Sequence, residues 1–356
     1  NLFMQTILVT GGGGFIGSHT CLVLLEKNFR VIILDSFVNG SQIALRRIKK
    51  LLANKIEDLN SKFFIYKGDL RDEEILKKVF EEFSQKKMPI EAVIHFAGLK
   101  AVNESFKKTS EYWDVNVKGS LKLFKIMEIY DCKKIIYSSS ATVYDQMFEG
   151  PLNEKAPLMP SNPYGETKLE VEKILGSLYS NKSNYWNIII LRYFNPIGAH
   201  YSGQIGEDPK NKGSNLFPLL IDAALSKSKP LKIYGNDWPN VDGTCIRDFI
   251  HVMDLAEAHL ESLLHLQKKE SNFLILNVGT GKGTSVIELV NVFEKVNNCK
   301  IPIEFVDRRE GDIFSSVADN NLIMSTLNWK CKRSLKDMCQ DGWKWKRLNP
   351  NGYIDL

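Results

Sequence analysis

Across residues 1–195, short apolar runs alternate with longer stretches in which apolar positions recur every three or four residues. The runs Thr6–Thr10, Val31–Asp35, Phe63–Lys67, Ala92–Phe96, Lys134–Ser138 and Trp186–Arg192 predict six strands. Helical spacing near Ser18–Lys27, Ser41–Asn54, Glu73–Ser84, Thr109–Tyr130 and Tyr164–Tyr179 predicts the segments between them. Strand followed by helix, repeated, is the pattern of an α/β fold: a doubly wound, parallel, Rossmann-like sheet covered on both faces. After Asn195 the texture changes, because His200 to Asn215 is rich in Gly, Pro and polar residues and predicts a long loop. Beyond it, helices near Phe217–Ser226, Val252–Leu266 and Ser285–Asn297, strands near Leu231–Tyr234 and Ile303–Phe305, and a tail bearing Trp343 and Trp345 predict a smaller, irregular α/β domain. The expected division is 1–195 and 196–356, with part of the later segment free to return onto the first domain.

With 356 residues, 44% hydrophobic and 25% charged, the chain can bury a sizeable core, so disorder and a peptide-sized module are excluded. No apolar run exceeds five residues, Cys21 to Leu25 being one, whereas a spanning helix needs about 20. Lys plus Arg (47) against Asp plus Glu (42) leaves +5, scattered along the chain, so no nucleic-acid partner is called for. The densest basic cluster, Arg46, Arg47, Lys49 and Lys50, alternates with Ile48, Leu51 and Leu52 as the wet face of an amphipathic helix does. Cys21, Cys132, Cys245, Cys299, Cys331 and Cys339 form no C-x-x-C, and the histidines no H-x-H, which favours reduced thiols and no metal. The first ten residues lack a signal-peptide pattern, so an unprocessed cytoplasmic protein is expected, with Asn1–Phe3 standing ahead of Met4.

Directly after the first strand, Thr10 to Ser18 contain Gly11, Gly14 and Gly17, a G-x-x-G-x-x-G turn opening a helix. Glycine lets the backbone turn and approach a pyrophosphate closely, while the helix start offers free N–H groups. The acidic Asp35, 18 positions after Gly17 at the end of the second strand, stands near the expected ~20. A carboxylate there accepts from an adenosine 2′-hydroxyl and repels a 2′-phosphate, which favours NAD over NADP. Gly68-Asp69 and Phe96 to Lys100 end the third and fourth strands, the edge where ligands collect. For Asp69, adenine contact and a cap on the following helix are equally open.

At the end of the fifth strand stands Ser140, and Tyr164 and Lys168 follow four positions apart, on one helix face. A tyrosine of pKa ~10 must fall by about three units to act as a base near neutrality, which takes about 4 kcal/mol. One positive charge about 4 Å away at an effective dielectric near 20 supplies about that much. Lys168 and an oxidised nicotinamide ring together meet the requirement. Tyr130 with Lys134 repeats the Y-x-x-x-K spacing but straddles the entry to the fifth strand, the wrong edge of the sheet.

Together these residues resemble the extended short-chain dehydrogenase/reductases. His95 to Val102, Ser138 to Tyr144, Leu191 to Pro196, Arg247 to Val252 and Arg309 to Asp312 resemble the UDP-galactose 4-epimerase family more closely, in one order across essentially the whole chain. That resemblance implies tightly held NAD and interconversion of UDP-glucose and UDP-galactose. Tyr164 would take the sugar 4-hydroxyl proton, Ser140 would help relay it, and Lys168 would bind the nicotinamide ribose. By the same resemblance Gly11, Gly14, Phe15, Ile16, Gly17, Asp35, Ser36, Asn39, Asp69, Leu70, Phe96, Lys100 and Tyr193 line the cofactor. Ser140, Ala141, Thr142, Asn195, Asn215, Leu216, Phe217, Lys232, Tyr234, Arg247, Arg309, Asp312 and Ser316 hold the UDP-sugar. Arginines that can fork onto a diphosphate suit Arg247 and Arg309 to this task. A homodimer is also implied.

Two positions depart from the family pattern: Glu166, where a basic residue is common, and Asp145, where a glycine often follows Tyr144. Helix geometry puts Glu166 off the Tyr164–Lys168 face; Asp145 bears on the conformation of its loop. A 4,6-dehydratase would need an added acid and base after Ser140, where Ala141 and Thr142 stand. A non-catalytic NAD sensor would not need the set Ser140, Tyr164 and Lys168. The position four after Asp312 is Ser316, a small residue where the family places a bulky tyrosine in enzymes restricted to plain hexoses, so N-acetylhexosamines are expected to fit.

Overall fold

The computed structural model describes residues 4–181, 185–210, 213, 215–268 and 271–354. Asn1–Phe3 lie outside the described residues, as do three positions of the predicted loop 200–215, the rest of which carries no helix or strand before Asn215. The chain divides into two compact units. One takes the chain through Val143, then Asn162–Arg192 and Ala256–Leu276; the other takes Tyr144–Ser161, Tyr193–Leu255 and Asn277 onward.

In the first unit, the strands are β1 (Thr6–Thr10), β2 (Arg30–Asp35), β3 (Phe63–Lys67), β4 (Ile90–His95), β5 (Lys134–Ser140), β6 (Asn187–Tyr193) and β7 (Asn272–Val278). They form one sheet in the order β7-β6-β5-β4-β1-β2-β3. Pairing is parallel from β3 through β5. Because β1 lies between β2 and β4, the strand order reverses at its C-terminal end, where a crevice opens in such sheets. Six of the strands stand where alternation of run and helix predicted them, with ends shifted by one or two residues. The seventh, β7, was not predicted; a short apolar run after a helix carries no local sign of which sheet it joins. Ala256–Leu276, which carries most of β7, belongs to the first unit, the return allowed for within 196–356, while Tyr144–Ser161 belongs to the second.

The covering helices are α1 (Phe15–Glu26), α2 (Gln42–Leu52), α3 (Glu73–Gln85), α4 (Gly119–Ile129), α5 (Pro163–Ser180) and α6 (Val252–Lys268). Every residue of α1 from Gly17 to Leu25 is buried, so this helix is covered all round, with Ser18, His19 and Thr20 bonding back to its own first turn. By contrast α2 buries Ala44, Leu45, Ile48 and Leu52 and leaves Arg46 and Lys50 exposed, the wet face its spacing predicted. The helix predicted over Thr109–Tyr130 runs without interruption from Thr109 to Ile129, but it contains a wide π turn, Asp114–Lys118, between its first turn Thr109–Trp113 and α4. The wider turn aims Asn116 inward, and its amide holds neighbouring backbone, as set out below. Leu8, Ile32, Val93, Ile135, Ile188 and Trp186 belong to the core beneath these helices, each fully buried.

The second unit has its own core, built from Phe217, Leu220, Leu289, Phe293 and Met338. Leu231–Tyr234 pairs in parallel with Ile303–Val306, and Ser315–Ser316 with Ile246–Arg247. The tryptophan-bearing tail forms a helix, Leu335–Leu348, that buries Trp345. No described helix is long and apolar enough to cross a membrane.

Beneath the edge of the sheet lies a buried ion pair: Arg192 of β6 reaches Glu172 of α5 with Nη2–Oε2 2.6 Å and Nε–Oε1 3.0 Å. Ser139 Oγ also donates to Glu172, at 2.6 Å. Replacing one partner strands the other charge out of water, so Arg192→Met should lower the unfolding free energy by about 3–5 kcal/mol in urea titration. A loss below about 1 kcal/mol would show the pair to behave as a surface one.

Candidate active site

Gly11 has φ +70°, and a Cβ there would lie 2.7 Å from Ala97 N; a Cβ on Gly17 would lie 2.4 Å from Gly11 O. Both glycines are therefore required by contact, the first also by conformation. Gly14 differs, because a Cβ there would meet only Gly11 O at 3.4 Å and Lys100 Nζ at 3.9 Å. The protein leaves room beside Gly14, at the start of a helix with no side-chain cap and no acid in its first turn, where Phe15 and Ile16 stand. That is the shape and polarity a pyrophosphate fits. Asp35 Oδ2 accepts from Gly13 N and its Oδ1 from Phe37 N, both at 2.8 Å, so the carboxylate is fixed at the end of β2 beside the turn. Ser36 is half-buried and Asn39 exposed on the same loop.

Asp69 does not cap the next helix. Asp72 does, accepting from Glu74 N and Ile75 N, which corrects the capping alternative. Asp69 instead pairs with Arg71, Oδ2–Nη2 2.8 Å, and that guanidinium holds its carboxyl below the usual range. Leu70 turns its side chain into the core, leaving its backbone as the group a ligand can meet. Phe96 is half-buried against His259, ring centroids 4.7 Å apart, and Lys100 is exposed beyond it.

Ser140 ends β5, followed by a tight turn Ala141–Val143 whose Thr142 N donates to Ser140 Oγ at 3.2 Å. Thr142 Oγ1 is buried with no hydrogen-bond partner, the condition of a hydroxyl that a ligand completes. Asn162 caps α5 by accepting from Gly165 N at 2.8 Å, and Pro163 is its first residue, which places Tyr164 in the first turn. Tyr164 is half-buried and hydrogen-bonded to Ser140; burial pushes its phenol up to about 12, and the Ser140 bond opposes that rise. Lys168 donates to Ser138 O at 2.7 Å and lies 5.7 Å from the Tyr164 ring centroid. Burial, and then the like charge of Lys100, bring Lys168 down to about 7, against the pull of Glu172. In the protein alone the Lys168 ammonium is turned to a carbonyl, and burial dominates the phenol.

Four residues that motif reading missed hold this set in place. Asn116 Oδ1 accepts from Leu99 N at 2.8 Å, and its Nδ2 donates to Leu99 O and to Thr167 Oγ1 at 2.9 and 3.0 Å. Thr167 Oγ1 in turn donates to Tyr164 O at 2.7 Å. His95 bonds Thr10 Oγ1 at 2.6 Å and Ser120 Oγ at 2.8 Å, and burial drives its imidazole down to about 3, so it is neutral. Glu172 falls on the Tyr164–Lys168 face at the next turn, a signal that i, i+4 spacing could have supplied.

In the second unit, Tyr193 is buried and Asn195 exposed, its N donating to Asp248 O at 3.0 Å. Asn215 precedes the helix Leu216–Ser226 without capping it through its side chain. Phe217 packs its ring on Phe293, centroids 6.1 Å apart, so only its backbone can face a ligand; Leu216 is half-buried. Lys232 and Tyr234 share the outward side of their strand, and the Arg309 guanidinium stands 4.3 Å from the Tyr234 ring centroid. Arg309 Nε also donates to Asp312 Oδ2 at 3.1 Å. Arg247 donates to Ile246 O and Ile313 O at 2.8 and 3.1 Å, and Ser316 pairs beside it. Asp248, fully buried, accepts from Thr280 N, Gly281 N and Ala318 N and so ties two segments to the strand that carries Arg247. At the departures, Glu166 is exposed, and Asp145 Oδ1 accepts from Met147 N at 2.9 Å in an ordinary turn. Among the described residues no cluster of His, Cys, Asp or Glu is placed to hold a metal.

The buried lysine has a pH signature. Its folded pKa, about 7, lies below the ordinary 10.5, so the unfolded chain binds the extra proton in between. Stability therefore falls as pH drops from 10.5 to 7 and levels off below. In cofactor-free protein, Lys168→Met should gain stability over the wild type progressively across that window in urea unfolding; a gain independent of pH would contradict the burial.

The family model described as "NAD dependent epimerase/dehydratase family" matches residues 7–279. The chain is 46% identical over 352 residues to "UDP-glucose 4-epimerase 4" of Oryza sativa subsp. japonica, covering 98% of this chain and 92% of that protein. It is 46% identical over 349 residues to the UDP-glucose 4-epimerase of Bacillus subtilis, covering 98% and 99%. Among solved structures, the UDP-glucose 4-epimerase from Bifidobacterium longum in complex with NAD+ and UDP is 42% identical, with a TM-score of 0.89 and coverage of 98% and 100%.

Proposed function

The chain belongs to the NAD dependent epimerase/dehydratase family, and we infer that it is an NAD-dependent UDP-glucose 4-epimerase. The observation that carries this is the grouping of Ser140, Tyr164 and Lys168 at the same end of the sheet as the glycine turn. NAD, held by the glycine turn, Asp35 and Lys168, would supply a hydride acceptor and donor for sugar C4 and a positive charge near the phenol. Tyr164 removes the 4-hydroxyl proton as hydride leaves C4 and gives it back as hydride returns, with Ser140 in hydrogen-bond reach as relay. Lys168 holds the nicotinamide ribose, and the unpartnered Thr142 Oγ1 accepts or donates to a sugar hydroxyl. Asp35, already fixed by Gly13 and Phe37, presents a charge that selects a 2′-hydroxyl over a 2′-phosphate. Arg247 and Arg309 meet the diphosphate and Asp312 the uridine ribose. The turn Ala141–Val143 supplies no acid–base pair, which disfavours dehydration.

A homodimer in the cytoplasm accompanies this activity. Phe106 and Leu121 are 60% and 45% exposed on helices of the first unit, apolar surface that a second copy would cover, and all six cysteines are free.

Given UDP-galactose and no added coenzyme, the enzyme should form UDP-glucose without accumulating NADH. Tyr164→Phe should lose at least about a hundredfold in rate while retaining NAD, since only the proton acceptor is removed; normal turnover in that variant would refute the role given to Tyr164.

Substrate breadth follows from Ser316, half-buried and in register with Arg247. Its hydroxyl leaves room for an acetamido group and can bond it. UDP-N-acetylglucosamine should be epimerised, and Ser316→Tyr should abolish that while sparing UDP-glucose. No turnover of the N-acetyl sugar at saturation would remove this role from Ser316.

A further inference from the structure

The strands Leu231–Tyr234 and Ile303–Val306 run in parallel, and both chains leave the same end side by side, with Gly235 N donating to Val306 O at 2.8 Å. One exit carries Asp237 and Trp238; the other carries Arg308. Arg308 Nε reaches Asp237 Oδ1 at 2.8 Å, its Nη2 donates to Asp237 O at 2.8 Å, and its guanidinium carbon stands 3.7 Å from the Trp238 ring centroid. Trp238 is fixed from its own side, because its N donates to Gly243 O at 2.9 Å and its Nε1 to Tyr234 O at 3.4 Å. Gly235 makes the crossing possible: at φ +85°, a Cβ there would sit 2.6 Å from Trp238 Nε1 and 2.8 Å from Arg308 Cγ. The same indole stacks on Phe314, centroids 6.2 Å apart and planes 19° from parallel.

Trp238 thus grips the segment 308–314 at both ends. Between the grips, Arg309, Glu310 and Gly311 are exposed, and a Cβ on Gly311 would meet nothing within 4 Å. Such a loop pays ordering entropy on binding unless something orders it beforehand. It carries Arg309 and Asp312, the residues assigned to the nucleotide, and leads directly into Ser315–Ser316.

On the footing of the nucleotide-sugar activity above, we propose that Trp238 and Arg308 form a latch that pre-orders the 309–316 segment for the UDP end of the substrate. They are positioning residues, distant in role from the proton and hydride transfers, and act on affinity and not on the chemical step. An indole–guanidinium stack and an aromatic pair, both partly exposed, together support a change of roughly tenfold.

The test is calorimetry with UDP on the NAD-loaded enzyme, alongside steady-state kinetics with UDP-galactose. Trp238→Ala and Arg308→Ala should each weaken UDP binding and raise KM by roughly tenfold while kcat stays within about twofold. Combined, the two should weaken binding no further than Trp238→Ala alone, because that variant already removes the Arg308 stack along with the Phe314 pair. Trp238→Phe, which keeps an aromatic face, should recover most of the affinity. Arg308 is exposed, so its variant folds whatever becomes of Trp238. UDP affinity unchanged in both single variants, or losses that add in the double variant and appear in kcat, would overturn the latch alone. A wild type that binds no UDP would overturn the nucleotide-sugar activity, and the latch with it.

Discussion

Contact between backbone and backbone at the glycine turn sets the geometry of the chemical edge. Because Gly17 carries no side chain, α1 begins against Gly11 O, and because Gly11 carries none, the turn rests on the end of β4 at Ala97. The free amides of α1, the Asp35 carboxylate and the Phe96–Lys100 loop are drawn to one place by that closeness. From there a series of buried polar contacts leads onward. Leu99 is held by Asn116, Asn116 by Thr167, and Thr167 by the carbonyl of Tyr164. The reacting phenol is thus referenced, bond by bond, to the strand end that positions the cofactor, and a small shift at the turn would reach it.

Charge is handled differently in two places a helical turn apart. Glu172 and Arg192 neutralise one another and are further satisfied by Ser139. Lys168 has a carbonyl from Ser138 but no carboxylate of its own at bonding distance, and Lys100 opposes its charge. Protein stability is spent at this position and recovered only where a ligand supplies hydroxyl acceptors, the kind of local inconsistency that accompanies working sites. The same logic explains why burial holds the Tyr164 phenol high until a positive ring is brought beside it.

Much of this was legible in order of appearance along the chain. Glycine spacing, the acid after the second strand and the Tyr164–Lys168 pair are local signals, and the fold sets all three at one end of the sheet. What escaped was non-local. Asn272–Val278 reads as an ordinary apolar run, and nothing near it says that it completes a sheet begun at Thr6. The π turn at Asp114–Lys118 has no composition that separates it from helix, since its reason is the distant backbone of Leu99. Leu70 and Phe217 are expected at the site by resemblance, yet their side chains serve the cores and only their backbones are free to serve a site. Asp69 and Asp72 are equally plausible caps by type; the arginine two residues after Asp69 decides between them.

The seventh strand has a consequence for synthesis. Until Asn272–Val278 leaves the ribosome, β6 is the border of the sheet, and it is an apolar border, buried at every position from Asn187 to Tyr193 once folded. Its unpaired amides and carbonyls would invite any other strand in reach. From Tyr193 to Asn272 the ribosome has 79 residues to add, which at ~5–20 residues per second takes on the order of 4–16 s. During that interval the nascent chain is sticky along one edge, and its yield in a cell depends on how fast translation proceeds or on what shields it meanwhile.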